Sequence, residues 1–310
     1  MPRLCSRLLL SLLIASSTSA ITMDWTFIGN PGNASDPAPN TAQCGDETAC
    51  GSVAYAYYIG TYEVTNAQYA EFLNAKAVSD PLALYNPQMG MNGGYGGITR
   101  TGTSGSYNYS TITGREEMPV NFVNVWSAMR FANWVNNGQG NSDMNTGSYT
   151  LLGGSETEEP TNANTVMRNA GAGIVLPSLN EWYKAAYYDP STATYFAYPA
   201  GSNDPTSCAA PGPGANSANC GGAVAPPPAY YYSNGDVTIV GSYPGSASPY
   251  GTFDQGGNVA EWTDTLQFSY GAHPPRGIRG GGFNSDESLL AANSYATAPG
   301  VRAMTSAFAS

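Results

Sequence analysis

Basic side chains and histidine are scarce in this sequence. The 310 residues include 11 lysines and arginines and one histidine, against 22 aspartates and glutamates. The resulting net charge of −11 repels nucleic-acid phosphates and anionic lipid headgroups. The sequence therefore argues against nucleic acid as a partner, whereas cations and neutral or basic ligands remain open.

The single histidine also restricts metal and acid–base chemistry. His273 is the only imidazole, so a zinc site that uses several histidines cannot form. His273 lies in the glycine- and proline-rich stretch GAHPPRGIRG. A solvated loop histidine is a simpler interpretation of this residue than a catalytic base.

Long hydrophobic runs are absent after the first twenty residues, and charged residues make up only 11% of the chain. The first twenty residues carry Arg3 and Arg7, an apolar run over 8–15 and small residues up to Ala20. This layout is typical of a secretory signal peptide cleaved after Ala20, because the run is too short to span a bilayer. We expect a bacterial protein that is secreted or lies in the cell envelope, with no stable membrane insertion after cleavage.

Five cysteines are present, and four of them follow the predicted signal. They form two local pairs, Cys44 with Cys50 and Cys208 with Cys220, each in a glycine-, proline- or asparagine-rich loop. Four cysteines allow three connectivities, and the local one is favoured because short loops close at low entropic cost. A zinc site is the alternative, although neither pair has C-x-x-C spacing.

Glycine and proline are abundant, with 37 and 22 residues, which predicts long ordered loops. Three helices are nevertheless predicted. Two begin at capping boxes, Thr65 with Gln68 and Ser178 with Glu181, and the third covers 127–137. Short strands are predicted at 54–62, 173–176, 237–243 and 278–283. The pattern predicts a single α+β domain over 21–310 with little regular structure.

Five segments then occur in a fixed order: YIGTYEVTNAQYAEFLN, MPVNFVNVWSAMRFANWVN, VLPSLNEWYKAAYY, YGTFDQGGNVAEWTD and IRGGGFNS. Together they resemble the formylglycine-generating enzyme, or sulfatase-modifying factor, family over nearly all of 53–298. The resemblance implies a loop-rich variant of the C-type lectin fold that calcium stabilises. In that family, copper held by two cysteines oxidises a target cysteine.

The segment GTFDQGGNVAEWTD is the predicted calcium site. Calcium prefers several oxygen ligands, both carboxylates and backbone carbonyls, on a chain that can wrap tightly. The resemblance implies a structural calcium ion held by the side chains of Asp254 and Glu261 and the carbonyls of Gly257 and Val259. The alternative is that Glu261 is an exposed acid.

Other acidic residues carry less specific expectations. Trp262 is predicted to lie in the core, and Asp264 to be a solvated or capping acid. A second family calcium site is poorly matched, although Asn234 and Asp236 are its nearest candidates.

The positions of the family's copper cysteines hold Ser285 and Leu290. Neither residue supplies the thiolate that Cu(I) needs, so copper is not expected. We therefore predict a non-catalytic module that binds an unknown protein, peptide or glycan. The predicted ligand groove contains Arg279, Phe283, Ser285 and Asn293.

Two other functions stay open at this point. One is a formylglycine-generating-type oxidase or another protein-modifying enzyme. The other is a ligand-binding variable protein of a diversity-generating retroelement, a class that shares the fold. The 22 tyrosines could stack on sugars, but packing is the simpler explanation for them.

The C-terminus departs from the family, whose members usually close with a strand of the type NDIGFRV. With suitable codons, the bases encoding 302–310 give ASNDIGFRV when they are read one nucleotide earlier. This reading predicts a frameshift between Pro299 and Val301 and a lost or frameshifted closing strand. The sequence of the gene decides it.

Overall fold

The computed structural model describes residues 20–37, 50–90, 95–153, 159–226, 234–266 and 276–292. The predictions made for the signal peptide, Cys44, His273, Asn293 and the C-terminal strand lie outside these residues.

Three α-helices occur in the described part of the chain: α1, Asn66–Lys76; α2, Val125–Asn136; and α3, Leu179–Tyr187. Both predicted capping boxes are confirmed, since Thr65 and Ser178 each form the reciprocal pair of bonds with the residue three positions later. Helix α2 begins two residues earlier than predicted because the side chain of Asn124 caps it.

The strands are short and pair only in twos. They are β1, Trp25–Ile28; β2, Tyr57–Gly60; β3, Ile98–Thr101; β4, Asn108–Thr111; β5, Tyr188–Asp189; β6, Thr194–Tyr195; β7, Ser207–Cys208; β8, Ser217–Ala218; β9, Glu261–Leu266; and β10, Arg276–Arg279. Four pairs are antiparallel, β1 with β2, β3 with β4, β5 with β6 and β9 with β10, while β7 and β8 run parallel. The predicted α+β class with little regular structure is confirmed.

Two predicted strands are wrong. Residues 237–243 form no strand, because side chains bind three of their amides and no neighbouring strand pairs with them. The amides of Val237, Thr238 and Gly241 donate to Asp236, Asn258 and Asp254 respectively.

The second wrong strand, 173–176, is a loop in which the amides of Gly173 and Ile174 both donate to the side chain of Asn136. The strand predicted at 278–283 is only partly present. It ends at Arg279, since Gly280 and Gly281 have φ angles of +88° and +66°.

Aromatic packing forms much of the core. Tyr69 and Phe72 of α1 contact Phe131 of α2, with ring centroids 5.8 and 5.5 Å apart. Helix α3 is buried on nearly every side, and its side chains reach several parts of the fold. The predicted core position of Trp262 is confirmed, at 6% exposure.

A disulfide joins Cys208 and Cys220, as predicted. Cys50 is buried and disulfide-bonded, while its predicted partner lies outside the described residues. Within the described ranges, no helix is both long and apolar enough to cross a membrane.

Candidate metal-binding loop

The loop before β9 carries the predicted calcium ligands. Its backbone turns sharply, with φ angles of +59° at Asp254, +89° at Gly257 and +52° at Asn258. A Cβ atom at Gly257 would lie 2.4 Å from the carbonyl oxygen of Asn219, so only glycine fits there. The sequence thus fixes a tight loop at the edge of the β9–β10 pair.

Asp254 and Glu261 both face the interior of this region. Asp254 Oδ2 accepts a 2.6 Å hydrogen bond from the amide of Gly241. Glu261 is 2% exposed, and its Oε2 accepts a 2.7 Å bond from Trp182 Nε1 in α3. The alternative interpretation of Glu261 as an exposed acid is therefore wrong.

A third carboxylate, Glu63, belongs to the same region although the sequence analysis did not select it. It is 2% exposed and accepts bonds from the side-chain amide of Asn258 at 2.6 Å and the amide of Val259 at 3.1 Å. The only sequence signal was its position in an apolar stretch, directly before the capping box of α1. Glu63 therefore joins the loop to the start of that helix.

The pKa values of all three carboxyl groups are raised, mainly by burial. Burial raises the pKa of Asp254 to about 6. Burial, with repulsion from Asp254, raises the pKa of Glu261 to about 8. Burial and repulsion from both neighbours raise the pKa of Glu63 well above its ordinary value. Within the described residues, none of the three forms an ion pair with a basic side chain.

The oxygen atoms of this loop are of the kind that binds calcium, but its side chains alone do not supply enough ligands. In the described part of the chain, no three histidine, cysteine or acidic side chains lie close enough to surround one ion. The backbone carbonyls of Gly257 and Val259 accept no hydrogen bond from another described residue. Two carboxylates and two free carbonyls are hard oxygen ligands, the kind that calcium prefers, and water usually completes such a set.

The nearest candidate for a second calcium site is already neutralised. Both oxygens of Asp236 accept bonds from the guanidinium of Arg115, at 2.8 and 2.6 Å. Asn234 is exposed. A bidentate arginine occupies the carboxylate, so Asp236 does not fit a metal ion as it stands.

Asp264, at the C-terminal half of β9, is not the solvated acid that the sequence suggested. It is 9% exposed, and it accepts bonds from Arg168 at 2.6 Å and from the hydroxyl of Tyr149 at 2.8 Å. Arg168 also binds Glu181, at 2.6 Å, on helix α3. The prediction failed because the partners lie 96 and 115 residues away in the chain.

The predicted groove residues are placed mainly inside the protein. Arg279 is 2% exposed, and its guanidinium lies 5.4 Å from the ring centroid of Trp182. Phe283 is 5% exposed and contacts Tyr95, with ring centroids 4.7 Å apart. Ser285 is half-buried, and its hydroxyl accepts a bond from the amide of Gly282.

The two positions that hold copper cysteines in the resembled family have structural roles here. The hydroxyl of Ser285 closes the turn that follows β10. Leu290 is fully buried against Ala218 and Cys220, and its carbonyl accepts a bond from Tyr187. Neither position offers a soft metal ligand.

The fold is thus an α+β protein of short paired strands, in which a loop with buried carboxylates contacts the central helix α3. The model of the sulfatase-modifying factor enzyme 1-like domain matches residues 38–307, and the chain belongs to this family. The resemblance inferred from the five ordered segments is therefore confirmed. No curated protein matches the sequence.

Two solved structures share the fold, and a third is similar at a lower score. The crystal structure of CarF has a TM-score of 0.56 and 20% identity, covering 93% of this chain and 98% of CarF. Treponema denticola variable protein 1 has a TM-score of 0.50 and 20% identity, covering 92% and 94% of the two chains. PvdO from Pseudomonas aeruginosa has a TM-score of 0.46 and 14% identity, covering 93% and 91%.

Proposed function

We propose that this protein is an exported, calcium-stabilised, non-catalytic member of the family that acts as a ligand-binding or envelope module. The observation that carries the proposal is the state of the two positions corresponding to the copper cysteines. Ser285 closes a turn through its hydroxyl, and Leu290 packs in the core. Without two thiolates there, a Cu(I) centre of the family type has no soft ligands.

Export is supported by the N-terminal sequence and by the cysteine chemistry. Disulfides persist mainly in oxidising compartments, and Cys208 is bonded to Cys220. The folded domain already includes Ile21, whose amide and carbonyl both bond to the side chain of Gln139 at 2.7 and 2.9 Å. Mass spectrometry of the exported protein tests cleavage, with Ile21 expected as the first residue.

Calcium would be held by Asp254, Glu261 and the carbonyls of Gly257 and Val259. The ion would neutralise one buried and one half-buried carboxylate that have no basic partner within the described residues. Its role would be to stabilise the loop that precedes strand β9 and to hold it against helix α3 through Glu261 and Trp182.

The deciding experiment measures the metal content of the purified mature protein and follows thermal unfolding with and without a chelator. We expect about one calcium per chain and a midpoint that falls on chelation, since a ligand that binds only the folded state stabilises it. Absence of calcium together with an unchanged midpoint would remove calcium from the proposal.

The rival function, a copper-dependent cysteine oxidase, is tested on the same preparation. Copper is added and a cysteine-containing peptide is followed by mass spectrometry. We expect no aldehyde. Bound copper with aldehyde formation would replace the binding function by the enzymatic one.

The likeness to Treponema denticola variable protein 1 favours a second candidate, a ligand-binding variable protein of a diversity-generating retroelement. In that case the gene should lie near a reverse transcriptase and a template repeat of its C-terminal coding region. A genomic neighbourhood without both elements would contradict this candidate.

A further inference from the structure

A separate pocket of about 400 Å³ lies away from the metal-binding loop. We call it the aromatic pocket, and its walls combine four aromatic rings with one carboxylate and one amide. These residues are Asp36, Tyr183, Tyr195, Phe196, Tyr198 and Asn203. None of the described residues lining it is lysine, arginine or histidine.

Two of the rings are held in place before any ligand arrives. The hydroxyl of Tyr183, on α3, donates a 2.7 Å bond to Asp36. The hydroxyl of Tyr195, on β6, accepts a 2.7 Å bond from Asn33 and donates to the carbonyl of Ala34. The two ring centroids are 5.6 Å apart with planes inclined at 54°, so the rings form a fixed corner.

The segment after β6 is also anchored, which fixes the other walls. The amide of Phe196 donates to the backbone carbonyl of Tyr187, and the amide of Ala197 donates to the side chain of Asn203. The carbonyl of Ala197 accepts a 2.8 Å bond from the amide of Ala292, which also lines the pocket. A pocket built in this way loses little conformational entropy when it binds a ligand.

We propose that the aromatic pocket binds the trimethylammonium group of a small organic cation. Several aromatic faces around one carboxylate attract a cation that has no hydrogen atoms to donate. A trimethylammonium group donates no N–H hydrogen bond, so it needs no acceptor beside the charge of Asp36, the one acidic side chain among the described lining residues. The net charge of −11 adds a field that favours cationic ligands.

A neighbouring arginine limits which rings can take part. Arg279 lies 5.4 Å from the ring centroid of Tyr183, and it is buried and does not line the pocket. Because the guanidinium of Arg279 already makes a cation–π contact with Tyr183, the proposed cation contacts mainly Tyr195, Phe196 and Tyr198. This inference rests on the proposed binding function and names the ligand chemistry that the function requires.

The test compares choline with 3,3-dimethylbutan-1-ol, its uncharged isostere, by calorimetric titration of the mature protein. We expect saturable binding of choline and at least about tenfold weaker binding of the alcohol, the ratio that cation–π and carboxylate contacts supply. Trimethyllysine is titrated in parallel to identify the preferred carrier of the group. Equal binding of choline and the alcohol, or no binding of either, would overturn the proposal.

Two pocket variants and one control locate the site. Asp36→Asn keeps an oxygen for the Tyr183 hydroxyl but removes the charge, and Tyr198→Leu removes one ring. Each should weaken choline binding about tenfold. Tyr58→Leu removes a 46% exposed tyrosine on β2 and should leave binding unchanged. Choline binding that survives both pocket variants would place its site elsewhere and reject the inference.

The result of the choline experiment is independent of the calcium proposal. Choline titrations are run in calcium and in chelator, and the wild-type comparison needs no variant to fold. Calcium binding without choline binding would reject only the aromatic pocket. Choline binding by a protein that binds no calcium would reject only the metal site.

Discussion

Glu261 is a buried acid and Asp254 a half-buried one, and neither has a basic partner among the described residues, which is an unusual state for ionised carboxylates. A charge moved out of water is costly unless a counter-charge or strong hydrogen bonds compensate for it. Asp254 accepts one short hydrogen bond from the amide of Gly241, and Glu261 accepts one from Trp182 Nε1. At neutral pH, a proton on Glu261, whose pKa burial raises to about 8, or a bound cation would compensate for the missing basic partner.

Replacing Glu261 with glutamine distinguishes these two states. In chelator at pH 8 we expect Glu261→Gln to be at least as stable as wild type, because the amide removes repulsion and still accepts from Trp182. In calcium, the rise in Tm that we expect for wild type should be lost. Glu287→Gln, at an exposed position, is the control and should keep the rise. A calcium response that survives in Glu261→Gln would contradict the predicted ligand.

Arg168 is a second residue whose loss should be measurable. Burial alone would lower its pKa, but the bonds to Glu181 and Asp264 raise it, so the guanidinium stays charged. We expect Arg168→Met to lower the free energy of unfolding by about 3 kcal/mol, because two buried acids lose their partner. Urea unfolding measures this change.

Arg100→Met is the matched control for that substitution. The side chain of Arg100 has the same 28% exposure as that of Arg168, but it makes one ion pair of 3.4 Å, with Asp80. Its loss should cost about 1 kcal/mol, including its contacts with aromatic rings. Equal losses for the two variants would show that the Arg168 network adds nothing beyond a single ion pair.

The residue scale also shows what a sequence can and cannot predict. Asp254 and Glu261 were found because they lie in one short motif. Glu63 was missed, and Asp264 was predicted to be solvated. Both depend on contacts across 96 or more residues, from Arg168 to Asp264 and from Glu63 to Val259. Local patterns do not contain such contacts.

At the scale of elements, helices were predictable because their start signals are local. A capping box involves residues three positions apart, so Thr65 and Ser178 indicate in the sequence where α1 and α3 begin. A strand forms only where another strand pairs with it. In the apolar run 237–243, three amides donate to side chains instead of to a neighbouring strand. The failures therefore follow from missing long-range information rather than from weak β propensity.

The loop before β9 offers a prediction at this scale. Gly257→Ala should destabilise the protein strongly and remove the calcium response, because the new Cβ would meet the Asn219 carbonyl at 2.4 Å and φ is +89°. Gly251→Ala shares the unfavourable backbone angle, with φ of +93°, but no atom lies within 4 Å of its Cβ. It should cost about 1 kcal/mol. Similar unfolding midpoints for the two variants would contradict the close approach.

At the scale of the whole molecule, the raised carboxyl pKa values set the pH dependence of stability. Unfolded aspartate and glutamate titrate near pH 4. The folded protein holds the pKa of Asp254 at about 6 and that of Glu261 at about 8. Between these limits the folded state binds more protons than the unfolded state. Stability without calcium must therefore fall as pH rises.

The predicted fall in stability with rising pH can be tested on the wild-type protein. In calcium-free buffer, we expect Tm to fall between pH 5 and pH 8 as these protons are lost. Calcium competes with the same protons, so the gain in Tm on adding calcium should increase over that range. Differential scanning fluorimetry at several pH values measures both curves. Parallel curves with and without calcium would contradict a metal site built on these acids.

The pairing of strands in twos has a consequence for how this scaffold changes over evolutionary time. In a wide sheet, an inserted residue shifts the register of a strand and disturbs each neighbour in turn. Here every described strand has a single partner, so such a disturbance ends at one neighbour. The connecting segments are thus free to lengthen or be rewritten one at a time. A library of binding surfaces could be drawn from this chain without redesigning its framework.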